Sequence, residues 1–181
     1  MTKTDNRETH SKTCGQSHPG VERQQINANA RRLQQESCIM SLTLAQAKEI
    51  AEASLAKARD LSLKPLAVSI LDPRAATICL LAEDGVSAMR ARIAHGKANA
   101  AIQLGMGSRA LMQRAEQQAY FIQAMNGLAD GAMVPVPGGV LVRDANGKLL
   151  GAVGISGDTS DNDETAATAG IEAAGLVAET G

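Results

Sequence analysis

The chain of 181 residues carries 18 Lys and Arg against 19 Asp and Glu, a formal net charge of −1. That balance excludes the broad basic field needed to bind a phosphate backbone. Aromatic residues are 1% of the chain, with Tyr120 and Phe121 adjacent and no Trp, which excludes base-stacking platforms and aromatic cages. Cys14, Cys38 and Cys79 form no CxxC pair, and no run approaches the roughly 18 apolar residues of a membrane span. A reduced, cytoplasmic protein with no nucleic-acid or membrane partner is expected.

Residues 1–40 are polar, carry Gln, Asn, Ser and Thr throughout and show no apolar period, so they are expected to be a disordered N-terminal extension to a domain over 41–181. Thr43 with Gln46 reads as a capping box, and Leu44, Ala47, Ala51, Leu55 and Ala58 form a helical stripe, predicting a helix over 43–61. Pro65 opens the β-branched run LAVSILD, which ends at Asp72-Pro73, and ATICLLA follows after a short turn as the second arm of a hairpin. A helix from about 86 to 104 is expected next, starting at Asp84-Gly85 and stopping at Gly105. SRALMQRAEQQAYFIQAMNG predicts a further helix, or two short ones, closing at Asn126-Gly127. Val134–Val142 reads as a strand entered through Pro135 and Pro137, Asn146-Gly147 as a type I′ turn, and Leu149–Ser156 as the returning strand. Ser160 or Asp161 is expected to cap a last helix. The order predicts an α+β fold, helices packed on an antiparallel sheet of four or five strands. An aromatic-poor core buries little area per residue, so homo-oligomerisation is expected to add burial.

Four places carry chemistry. Pro137, Gly138 and Gly139 form a stiffened, side-chain-free corner that would let a ligand reach backbone amides; a bulge where a strand joins the sheet is the plainer reading. Ser156 and Gly157 stand where a strand passes to a helix N-terminus, which favours anions, although Asp158, Asp161, Asp163 and Glu164 already serve that end. On the helix over 86–104, Arg90, Ile93, Ala94, Lys97, Ala101 and Leu104 share one side, and Arg92, His95 and Asn99 another. Facing a pocket, Lys97 would hold an anionic ligand or transfer protons; otherwise it snorkels. His95 is a candidate haem or metal ligand, or a solvated helix histidine. Asp84, beside Glu83, is a candidate carboxylate or a helix-start residue. No GxGxxG, P-loop, zinc, EF-hand or Ser-His-Asp pattern is present.

Asp72 after the first strand, Asp84-Gly85 before a helix, Lys97-Ala98 within it, the Pro137-Gly138-Gly139 corner, and GAVGISG followed by Asp163-Glu164 together resemble the GlcG/HbpS family, which includes the PduO C-terminal domain. The resemblance spans about residues 43 to 177. It implies an α-β-α sandwich with a central antiparallel sheet of about five strands, a homo-oligomer, and a pocket for haem, a corrinoid or a small organic acid. Pro73-Arg74-Ala75 replaces the family's loose turn, Leu141 a frequent proline, and no His lies in the first helix. A small-molecule-binding protein is therefore expected, its pocket near Arg90, Lys97, the glycine corner and Ser156-Gly157. The alternative is a cofactor-independent lyase or isomerase acting on a small carboxylate or aromatic acid, with Lys97 or Arg90 fixing the anion and Asp84 or Lys97 moving protons.

Overall fold

Thr43 caps the first helix as its spacing predicts: its hydroxyl accepts from the Gln46 amide at 3.2 Å, and the Gln46 side chain returns to the Thr43 amide at 3.1 Å. The computed structural model describes residues 41–181, so the expected extension over 1–40 lies outside the described residues. Helix α1 (Leu44–Asp60) leads into strands β1 (Ala67–Leu71) and β2 (Thr77–Ala82), then helices α2 (Arg90–Leu104), α3 (Ser108–Gln117) and α4 (Ala119–Leu128). Strands β3 (Gly139–Arg143) and β4 (Leu149–Ser156), helix α5 (Ser160–Ala173) and strand β5 (Val177–Glu179) complete the order. The strands form one antiparallel sheet ordered β2-β1-β4-β3-β5. The fold is the expected α+β sandwich.

Side-chain alternation divides the strands between two cores. Val68, Ile70, Val140, Val142, Val153 and Ile155 point to α1 and α5 and join Ile50, Leu55 and Ile171 in the larger cluster. Leu71, Leu141 and Ala152 face the other way, onto Ala98 and Ala101 of α2. The first layer is branched and thick, the second small and thin, so α2 lies much closer to its face of the sheet.

Several boundaries differ from the sequence expectation. Helix α2 begins at Arg90 rather than near 86, because Glu83–Val86 and Ser87–Arg90 are each closed by a turn hydrogen bond. The expected strand over Val134–Val142 joins the sheet only from Gly139, as Gly139–Arg143; the Val134 amide instead donates to the Gly96 carbonyl of α2 at 3.1 Å. The turn after β3 is not type I′, since Gly147 has a positive φ and Asn146 does not. The Asp144 carboxylate organises that turn, accepting from the Asn146 and Lys148 amides at 2.8 and 2.9 Å. Helix α4 runs through Gly127 to Leu128, and Thr159 rather than Ser160 or Asp161 caps α5. Strand β5 pairs with β3 and is tied to it by the Arg143–Glu179 ion pair.

Asp158 joins the start of β1 to the start of α5. Its carboxylate accepts from the Lys64 amide at 3.0 Å, the Thr159 amide at 2.8 Å and the Asn162 side chain at 2.7 Å, which lower its pKa from 3.8 to about 2. A carboxylate depressed in the folded state adds stability above its unfolded pKa and loses it as the pH falls through the folded one. Acid titration followed by circular dichroism should therefore show a loss of stability between pH 3.8 and about 2 that Asp158→Asn lacks. An unchanged slope in that variant would assign the acid loss to other carboxylates.

Candidate functional site

Helix α2 organises most of the candidate residues, because it is covered on more than one side. Toward the sheet it presents Ala94, Ala98 and Ala101. The sheet meets it with glycine: a Cβ at Gly154 would stand 2.9 Å from the Ala98 nitrogen and nearer still to the Ala94 carbonyl oxygen, and one at Gly139 would collide with the Lys97 carbonyl. These glycines let helix backbone, rather than ligand, approach the strands. The Gly139 amide is itself satisfied, donating to the buried Ser108 hydroxyl at 2.7 Å.

Lys97 points toward α5, where its ammonium donates to the Asp163 carboxylate at 2.7 Å, with the two side chains 3% and 1% exposed. Burial pushes the Lys97 pKa down and the Asp163 pKa up, and their mutual attraction opposes both shifts. Gly138, at φ +112, leaves room for the pair; a Cβ there would stand 2.9 Å from the Lys97 nitrogen. Arg90 lies beside it with a guanidinium nitrogen 3.2 Å from the Ser156 hydroxyl. Arg109 reaches the same helix end, bonded to Glu164 at 2.8 Å and to Asp161. Thus Arg90, Lys97, Gly138 and Ser156 do come together, in a closed network of charges between α2 and α5. Pro137, Gly139 and Gly157 are buried around it. Asp84 is elsewhere, exposed in the turn after β2.

The side of α2 that carries Ala91, Arg92 and His95 borders a cleft of about 390 Å³. Leu80 of β2, Met89, Ile93 and Val134 supply its apolar walls. Leu80 and Met89 are 44% and 54% exposed, so the cleft opens to solvent. Gly96 forms its floor against the segment 131–134: a Cβ there would meet Val134 at 2.6 Å. That segment is held by the Asn99 side chain, which donates to the Ala132 carbonyl at 3.0 Å, and by the Met133 amide, which donates to the Asn126 side chain at 3.0 Å. His95 is half-buried in the wall with Nδ1 3.4 Å from the Thr77 hydroxyl. Its Nε2 has no hydrogen-bond partner among the described residues.

Residues 42–172 match the family described as haem degrading protein HbpS-like. The chain belongs to that family. It is 30% identical over 136 residues to an uncharacterized 15.0 kDa protein of Citrobacter freundii from a dhaT-dhaS intergenic region, covering 74% of this chain and 92% of that protein. Among solved structures it is similar to a PduOC:heme complex, with TM-score 0.66 and 22% identity over 74% of this chain and 94% of the other. It is also similar to HbpS, with TM-score 0.64 and 25% identity over 73% and 89%. Among the described residues of this HbpS-like chain, no helix is long and apolar enough to cross a membrane, and no group of three or more His, Cys, Asp and Glu is placed to hold a metal ion.

Leu80 and Met89, which line the cleft of this HbpS-like chain, and Thr77, which meets His95, carried no sequence signal. One signal was available. Gly96 is an isolated glycine inside a helical pattern, which marks a place where something else comes close.

Proposed function

We propose that this protein is a cytoplasmic, homo-oligomeric haem-binding protein whose iron ligand is His95. The observation that carries the reading is the His95 ring in an apolar cleft, one nitrogen beside Thr77 and the other unpartnered. A ring nitrogen held by a neighbouring hydroxyl orients the imidazole and leaves the second nitrogen for iron. The donor chemistry fits haem: one imidazole for the metal, Leu80, Met89, Ile93 and Val134 for the macrocycle, and a volume in the range of cofactor pockets. Bound there, haem would supply a redox-active iron whose potential depends on the side chain that holds it and the polarity around it. Membership of the HbpS-like family and the likeness to a haem complex support the same choice over a corrinoid or a small organic acid. Tyr120 and Leu128, 74% and 80% exposed on α4, support self-association, and a free Cys79 accords with a reducing compartment.

Hemin titrated into the protein should give a saturable Soret shift at one site per chain, lost in His95→Ala while the far-ultraviolet circular dichroism stays unchanged. Absorbance that rises without saturation, or a shift that persists in the variant, would remove His95 as the ligand.

A further inference from the structure

We infer that the natural ligand of the His95 cleft carries a carboxylate and that Arg92 is the group that binds it. This rests on the cleft being the binding site, as proposed above, and adds the residue that recognises the ligand's carboxylate. The described residues include seven arginines, and six have a partner for the guanidinium. Arg59 pairs with Glu83, Arg74 with Asp72, Arg109 with Asp161 and Glu164, and Arg143 with Glu179. Arg90 meets the Ser156 hydroxyl, and Arg114 lies 4.1 Å from the centre of the Phe121 ring. Arg92 alone among the described arginines has no hydrogen bond, ion pair or ring contact.

Its position makes the vacancy informative. Among the described residues, Arg92 is the only formally charged side chain lining the cleft, one turn of α2 before His95, and no carboxylate lines it. Asp130, next to Gly131, borders the neighbouring depression over Asn99 and Gln103 instead. A guanidinium at the mouth of an apolar cleft matches an apolar molecule with a carboxylate at its edge, which it grips with two parallel N–H bonds. One guanidinium, with no second Lys or Arg among the described lining residues, pairs with one carboxylate of the ligand better than with a phosphate dianion. Lys97 and Arg90, the cations that sequence spacing favours for an anion, are engaged with Asp163 and Ser156, so the cleft's positive charge comes from Arg92.

The test compares hemin with its dimethyl ester, in which both carboxylates are blocked, for the wild type and for Arg92→Gln. Arg92 is exposed, so the substitution leaves the core intact, and circular dichroism checks this. The wild type should bind hemin about tenfold more tightly than the ester, and Arg92→Gln should bind the two alike. Equal affinities in the wild type, or an unaltered preference in the variant, would overturn the inference while leaving haem binding intact. If hemin does not bind at all, the haem reading fails and the carboxylate is tested alone, with 1-pyrenebutyrate against its methyl ester by fluorescence titration. A preference for the acid that disappears in Arg92→Gln upholds the inference; no preference, or no binding, ends it.

Discussion

Lys97→Met should lower the free energy of unfolding by about 3–5 kcal/mol at neutral pH, read from urea or thermal unfolding, because it strands the Asp163 carboxylate in the sandwich. The methionine replaces the alkyl stem in volume but not the charge, and Asp163 keeps only the bond from the Asp158 amide at 3.1 Å. Arg90 also acts electrostatically on the pair, but its guanidinium donates to the Ser156 hydroxyl. Burial already raises the Asp163 pKa in the intact pair, and without Lys97 it should rise further. A carboxyl with a raised folded pKa binds more protons folded than unfolded, so the variant's deficit should grow as the pH rises above 3.8 and shrink in acid. Lys97→Met combined with Asp163→Leu removes both charges and should return close to wild-type stability. A single variant within about 0.5 kcal/mol of wild type, the ordinary range for surface changes, would mean that the pair is hydrated in solution.

Gly154→Ala should destabilise the protein by about 3 kcal/mol or more, since a single methyl would press on the backbone of α2 rather than on a movable side chain. The strand cannot yield easily: Gly154 sits in β4 between β1 and β3, paired with Ser69 on one side and Gly139 on the other. Lifting α2 would also displace Lys97 from Asp163 and Gly96 from Val134, so any cleft ligand should be lost with the stability. Gly127→Ala is the control. It lies in α4 with nothing within 4 Å of its added Cβ, and should be neutral or stabilising by about 0.5–1 kcal/mol. Equal melting temperatures for the two variants would sink the close-packing account.

Local chemistry made much of the fold legible. The Thr43–Gln46 box, the β-branched run ending at Asp72, the Gly105 stop at φ +67 and the Leu149–Ser156 strand depend on neighbours within a few residues, and each stands where the sequence places it. Asp72 shows the same locality: it holds its own turn through Arg74 and the Ala76 amide. The features that were missed depend on distant partners. Strand β5 is three residues long and exists because β3 offers it an edge, a pairing across 36 residues that no local period announces. Residues 134–138 read as a strand from their valines and prolines, yet the Val134 amide bonds to α2, the Val136 amide turns back to the Val134 carbonyl, and strand β3 starts only at Gly139.

The candidate site divides along the same line. Residue types and spacing by themselves determined the α+β class, the family resemblance, and the short roster of charged and imidazole side chains on one helix. Tertiary structure alone decided their surroundings. A helix buried on one side has a polar face that can be read from a period of 3.6, but α2 is covered by the sheet, by α3 and by the segment 131–134, and the period then marks no single buried side. The stripe that places Lys97 among alanines is correct as geometry, but only the fold brings Asp163 across 66 residues to neutralise it. The same packing leaves His95 and Arg92 in an apolar cleft, because hydrogen bonding and burial depend on which distant groups arrive, and those are set by the closing of the sandwich.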